Sequence, residues 1–131
     1  ALLLEIEQEA VVTVGRLGTF RFAAGYYVYV GSALGSGGLA ARLARHGRQD
    51  KKLRWHIDYV LMHARIVDIE VNASGQELEC VWAGKLLHMP GARVTAPRLG
   101  SSDCACPSHL IYLGSGEPAC WGSSVLAVLP Q

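Results

Sequence analysis

The stretch that decides the fold is Gly25-Tyr26-Tyr27-Val28-Tyr29-Val30-Gly31, which breaks into Ser32-Ala33-Leu34-Gly35-Ser36-Gly37-Gly38. Aromatic and β-branched residues held between two glycines predict a short strand, Tyr26 to Val30. The two-residue period of a strand puts Tyr27 and Tyr29 on one face and Tyr26 on the other. Beyond the small-residue turn, Leu39-Ala40-Ala41-Arg42-Leu43-Ala44-Arg45-His46 predicts a helix opened by Gly37-Gly38 and stopped near Gly47. Leu39 and Leu43, four apart, face the core, while Arg42, Arg45 and His46 share another face.

Working outward, Leu2 to Glu7 and Val11 to Leu17 read as two strands with a turn near Gln8-Glu9-Ala10, and with Tyr26 to Val30 they could form a three-stranded antiparallel sheet. A second helix is expected over Lys52 to His63, with Trp55, Tyr59 and Met62 on one face. Ile66-Val67-Asp68-Ile69-Glu70-Val71 makes Arg65 to Val71 a strand. Asn72-Ala73-Ser74-Gly75 is a loop that offers Ser74 as an N-cap, and Gln76 to Met89 is a third helix ended by Pro90-Gly91. Pro97 to Pro107 is loop-like, and His109 to Leu113 and Val125 to Leu129 read as extra C-terminal strands. The expected class is α+β, a small antiparallel sheet flanked by helices, in one domain over residues 1–131.

The chain has 131 residues, half of them hydrophobic, which is enough to build a real core and argues against general disorder. Its formal net charge is +1, so bulk charge says nothing about a polyanionic partner, but the distribution does. Arg42, Arg45, Arg48, Lys51, Lys52 and Arg54 are half of the twelve Lys and Arg and are opposed there by Asp50 alone. A neutral protein with one basic face suits local phosphate binding better than non-specific polycation behaviour. No apolar run approaches the ~20 residues a bilayer span needs. No basic n-region or cleavage site is visible, and a first residue Ala1 in place of Met suggests an incomplete or processed N-terminus. The expectation is a cytoplasmic protein with no membrane partner, whose four cysteines are free thiols or metal ligands before they are disulfides.

The basic helix and the strand tyrosines are the chemistry-bearing groups. A guanidinium gives bidentate bonds to phosphate and offsets charge that develops on it, and a glycine-rich turn before a helix can bring backbone N–H groups to an anion. A phenol beside such a cation can take part in acid–base work. Each piece also has a plain structural reading: Tyr27 and Tyr29 as ordinary amphipathic strand residues, Arg42, Arg45 and His46 as a solvated helix face, His56 as a structural histidine. Arg54 and Asp58 form an i, i+4 pair, which makes Asp58 a helix-surface or packing partner. Glu79 is a lone helix carboxylate of the kind Mg²⁺ accepts, since that ion keeps most of its waters. Cys104-x-Cys106-x-x-His109 has metal-capable side chains that Cys80 or Cys120 could complete. Cys-x-Cys is tight for zinc, and partly buried thiols in a turn are the stronger reading.

Together, Tyr29-Val30-Gly31-Ser32-Ala33 and Leu39-x-x-Arg42-Leu43-x-x-His46 resemble the second half of the GIY-YIG nuclease signature. Arg45-His46, Trp55-His56-Ile57-Asp58-Tyr59, Glu79-Cys80 and Ser102-Asp103-Cys104-x-Cys106-x-x-His109-Leu110 extend the resemblance to one branch of that superfamily. Members of that branch occur alone or fused to endonuclease III-type repair proteins. The resemblance implies a divalent-metal-dependent endonuclease that hydrolyses DNA phosphodiesters with Mg²⁺ or Mn²⁺, in DNA repair and with a repair-protein partner. Tyr29 matches the tyrosine of the second triplet, Arg42 the helix arginine, His46 a histidine found in part of the superfamily, and Glu79 the metal-binding glutamate. Arg45, Arg48, Lys51, Lys52, Arg54 and His56 would then line the nucleic acid. The first triplet's tyrosine has no counterpart after Ala1, and Tyr27 is the available substitute. The alternative is a catalytically weak nucleic-acid-binding module that uses the same basic face, or a partner-binding domain with zinc on Cys104, Cys106 and His109.

Overall fold

Among the described residues, five strands form one sheet in the order Arg65–Ile69, Leu2–Ile6, Gly25–Tyr29, Leu110–Gly114 and Arg93–Val94, and the tyrosine-rich strand is its centre. The structure, a computed structural model, describes residues 1–31, 56–69, 79–89, 91–100, 107–116 and 118, residues 79 and 80 by backbone alone. The sheet strands are β1 (Leu2–Ile6), β4 (Gly25–Tyr29), β5 (Arg65–Ile69), β6 (Arg93–Val94) and β7 (Leu110–Gly114). A separate hairpin joins β2 (Ala10–Val14) to β3 (Gly18–Phe22). The helices among the described residues are α1 (His56–Leu61) and α2 (Glu79–Leu87). Every strand pairing is antiparallel, and the class is α+β.

Alternation along the central strands sorts their side chains onto two cores. In β1 and β4, Leu2, Leu4, Tyr27 and Tyr29 point to one face with Leu110 and Tyr112 of β7. That face is covered by Ile57, Val60 and Leu61 of α1 and by Val12, Val14 and Phe22 of the hairpin. Leu3, Val28, Val30 and Ile111 point to the other face, where Trp82, Ala83 and Leu86 of α2 cover them. Each such fully buried large apolar side chain contributes about 1.5–3 kcal/mol. Burial on both faces is why β1 opens on three successive leucines, Leu2, Leu3 and Leu4. Register across the centre is set by Leu4↔Tyr27 and Leu2↔Tyr29 on one side of β4, and by Tyr27↔Tyr112 and Tyr29↔Leu110 on the other.

Three expectations change. Among the described residues the central sheet has five strands, not three, and Val11 to Leu17 is not in it. That segment ends as a strand at Val14 and turns through Gly15, where Leu17 N–H donates to the Val14 carbonyl at 2.9 Å, into an unanticipated β3. In α1 the inward residues are Ile57, Asp58, Val60 and Leu61, whereas Met62 is 63% exposed. Asp58 is therefore an interior residue, the packing rather than the helix-surface side of the expectation. The expected helix from Gly37-Gly38 to Gly47, the Ser74 cap and the strand Val125 to Leu129 lie outside the described residues. No described helix is long and apolar enough to cross a membrane.

Candidate functional site

Tyr29 ends β4, the central strand, and its ring lies between two chain segments that approach as bare backbone. A Cβ on Gly31 would stand 2.9 Å from Cε2 of Tyr29 and 3.2 Å from its hydroxyl oxygen. On the opposite ring edge, a Cβ on Gly100 would stand 3.1 Å from Cε1 and 3.7 Å from that oxygen. Glycine at both places lets the chain close directly on the phenol, where any side chain would push the ring aside. Tyr29 is 6% exposed, a ring set into the structure with its hydroxyl end at these two glycines.

The second wall comes from residues 96–100 and 107–109, zipped together by backbone hydrogen bonds. Arg98 N–H donates to Pro107 O at 2.6 Å, and His109 N–H to Leu99 O at 2.8 Å. His109 then accepts at its own carbonyl from Val30 N–H at 2.9 Å, which docks the pair onto the end of β4. Ser108 is buried and spans this junction: its hydroxyl accepts from Leu110 N–H at 3.1 Å. Arg98 holds φ at 68°, a conformation that costs a non-glycine residue energy and that surrounding contacts must maintain.

His56, the first residue of α1, reaches the same place. Gly100 N–H donates to its Nδ1 at 3.0 Å. Residues from β4, α1 and the loop before β7 thus converge on one point: Tyr29, His56, Gly100 and His109. Neither Gly100 nor the backbone role of His109 is anticipated from the sequence, where Pro97 to Pro107 reads as an undivided loop. A glycine in a loop signals a left-handed turn, but nothing local says which distant aromatic it meets.

Tyr27 is elsewhere. It is fully buried, its hydroxyl donates to Ala23 O at 2.7 Å, and its ring meets Phe22 and Tyr112 at centroid distances of 5.9 and 4.8 Å. Burial foremost, with the neighbouring Tyr112, pushes its pKa up to about 12, against smaller lowering effects from Thr95 and Arg93. A phenol so held keeps its proton and spends it on a backbone carbonyl, so Tyr27 is a core residue and does not stand in as a base. Tyr26, on the opposite face, donates to Glu5 at 3.1 Å, and Glu5 also accepts from Arg65 Nε at 2.8 Å.

Of the remaining expected site residues, Arg42, Arg45, His46, Arg48, Lys51, Lys52, Arg54, Cys104 and Cys106 lie outside the described residues. Glu79 opens α2, with its side chain outside the description. His109, a zinc ligand only in the weaker of the two readings of its segment, is 6% exposed, with its backbone engaged on both sides. Among the described residues no group of three or more His, Cys, Asp or Glu comes together as a metal site.

Residues 1–124 match the family model Domain of unknown function DUF123, and the chain belongs to that family. No curated protein and no solved structure matches the chain.

Proposed function

We propose that this protein is a divalent-metal-dependent endonuclease of GIY-YIG type that hydrolyses DNA phosphodiesters in repair. One observation carries the reading: Tyr29, the tyrosine that the signature makes catalytic, ends the central strand with its ring between two glycines, one of which, Gly100, is tied to His56. It leads directly into the segment that bears Arg42 and the cluster of basic residues. A catalytic phenol needs that kind of seat, its ring fixed in direction by packing.

In this reading Tyr29, acting as phenolate, orients the attacking water and takes its proton as that oxygen bonds to phosphorus, while the bond from phosphorus to the leaving oxygen breaks and that oxygen takes a proton from solvent water. Arg42 binds the non-bridging oxygens bidentately and offsets the charge that builds on them. His46, four residues after Arg42 in the helix expected from the sequence, would support Arg42 at the phosphate. Arg45, Arg48, Lys51, Lys52 and Arg54 hold the flanking DNA backbone. Glu79 suits Mg²⁺ or Mn²⁺, since a hard carboxylate oxygen is the ligand those ions take and one or two suffice. When bound, such an ion polarises the phosphate and assists the leaving oxygen.

The test is cleavage of supercoiled and branched DNA in Mg²⁺ or Mn²⁺, comparing the wild-type protein with Arg42→Ala and Glu79→Ala. Loss of an arginine that stabilises transition-state charge should cost about 100-fold or more. Cleavage that survives both substitutions would defeat the assignment.

A second reading, a catalytically weak nucleic-acid-binding module, is favoured by the residue that faces Tyr29 across β1. It is Leu2, so this pair of strands carries no second phenol there. That module would bind without cutting and lose affinity steeply with salt as Lys and Arg release counterions. Zinc measured by elemental analysis would speak for the partner-binding alternative.

A further inference from the structure

Gly100 joins three parts of the protein at one residue. Its N–H donates to Nδ1 of His56 on α1 at 3.0 Å. Its Cα closes on the Tyr29 ring at the end of β4, where an added Cβ would lie 3.1 Å from Cε1. The same Cβ would lie 3.2 Å from Cβ of His109, the residue tied to Leu99 and Val30 through its backbone. Gly100 holds φ at 72° and follows Arg98 at 68°, so the turn is held in the left-handed region twice within three residues. Such a turn keeps its shape only where its surroundings insist on it. The bond to His56 is the side-chain restraint that fixes Gly100 N–H. A ring nitrogen that accepts a hydrogen bond carries no proton, so the imidazole's single N–H is at Nε2.

We propose that His56 is a positioning residue for Tyr29. In its Nε2–H tautomer it anchors Gly100, and Gly100 in turn walls the Cε1 edge of the Tyr29 ring and sets the direction of the phenol. The proposal rests on Tyr29 acting in cleavage, as proposed above, although the positioning itself can be read without activity. It also refines the expectation that His56 contacts phosphate: Nδ1 is committed to the protein, so Nε2–H alone is left for an anion. Removing the imidazole leaves Gly100 N–H without its acceptor and frees the wall beside the ring. Asparagine, whose side-chain oxygen can stand near the place of Nδ1, should restore the acceptor.

The experiment uses the full chain, isotopically labelled, as wild type, His56→Ala and His56→Asn. Nitrogen-15 spectra of the wild type should show His56 with Nδ1 unprotonated. Carbon-13 spectra of the Tyr29 ring should show shifted signals and faster ring motion in His56→Ala, and near wild-type signals in His56→Asn. With DNA and Mg²⁺, His56→Ala should lose about 10- to 100-fold in kcat with little change in KM, the mark of a misplaced group, and His56→Asn should recover most of it. A wild-type His56 protonated on Nδ1, a Tyr29 ring unmoved in folded His56→Ala, or a His56→Asn no better than His56→Ala would each overturn the proposal. Should His56→Ala not fold, the wild-type tautomer and the His56→Asn ring signals decide it. Should the wild type not cut DNA, the nuclease reading fails while the spectra still judge the positioning.

Discussion

Tyr27 and Tyr29 share a strand, a face and a residue type, two positions apart, and the fold surrounds them differently. Tyr27 lies where β4 is flanked by Tyr112 and covered by Phe22, and its hydroxyl is consumed by Ala23 O. Tyr29 lies where the strand runs out, walled by Gly31 and Gly100 and by a loop tied to His56. The difference shows that a strand pattern specifies which face a phenol takes but not what its hydroxyl meets. That depends on where the neighbouring strands and loops end.

The largest change at the closed end should come from Gly25→Ala. Gly25 has φ of 141°, and a Cβ there would collide with the Gly114 carbonyl oxygen and stand 2.9 Å from the Tyr112 hydroxyl, which itself donates to Ala24 O. Backbone cannot step aside as a flexible side chain can, so a loss of about 3 kcal/mol or more is expected in a denaturant titration. An effect within the range of a surface substitution would mean that this end is looser than its packing implies.

A smaller effect should appear with alkali. The pKa of Tyr27 rises in the folded protein from 10.0 to about 12. The folded state therefore holds the Tyr27 proton more tightly than the unfolded chain does. The associated stability is fully present below pH 10 and is lost as pH climbs towards about 12, a loss of about 2–3 kcal/mol. Tyr27→Phe should flatten that alkaline limb, while Tyr29→Phe should leave the Tyr27 contribution in place. An unchanged limb in Tyr27→Phe would remove the contrast between the two phenols.

The sequence makes the strands legible where apolar or aromatic residues cluster between glycines, as in Gly25–Gly31 and Leu2–Ile6. Helix α2 and strand β5 are visible for the same reason: their periodicity survives without knowledge of partners. β3 is lost because Gly18-Thr19-Phe20-Arg21-Phe22 is half polar, and its identity as a strand comes from pairing with β2. β6 is two residues long and exists only through its pairing with Ile111 and Tyr112. At the site, Tyr29 and His56 stand out from their motifs. Gly100 and the backbone of His109 do not, because their roles are contacts between segments far apart in the chain. Tyr27 is misleading for a related reason: burial by β7 and the hairpin decides the state of its phenol, and neither is local to it.

The most direct test of the contrast is single-turnover cleavage of branched DNA in Mg²⁺ by Tyr29→Phe and Tyr27→Phe, each confirmed folded at the assay temperature. Tyr27→Phe should lose about 1–2 kcal/mol of stability, from the stranded Ala23 carbonyl, yet cut at close to the wild-type rate. Tyr29→Phe should cut about 100-fold more slowly or worse. Equal rates in the two variants, or a slower Tyr27→Phe, would contradict the account.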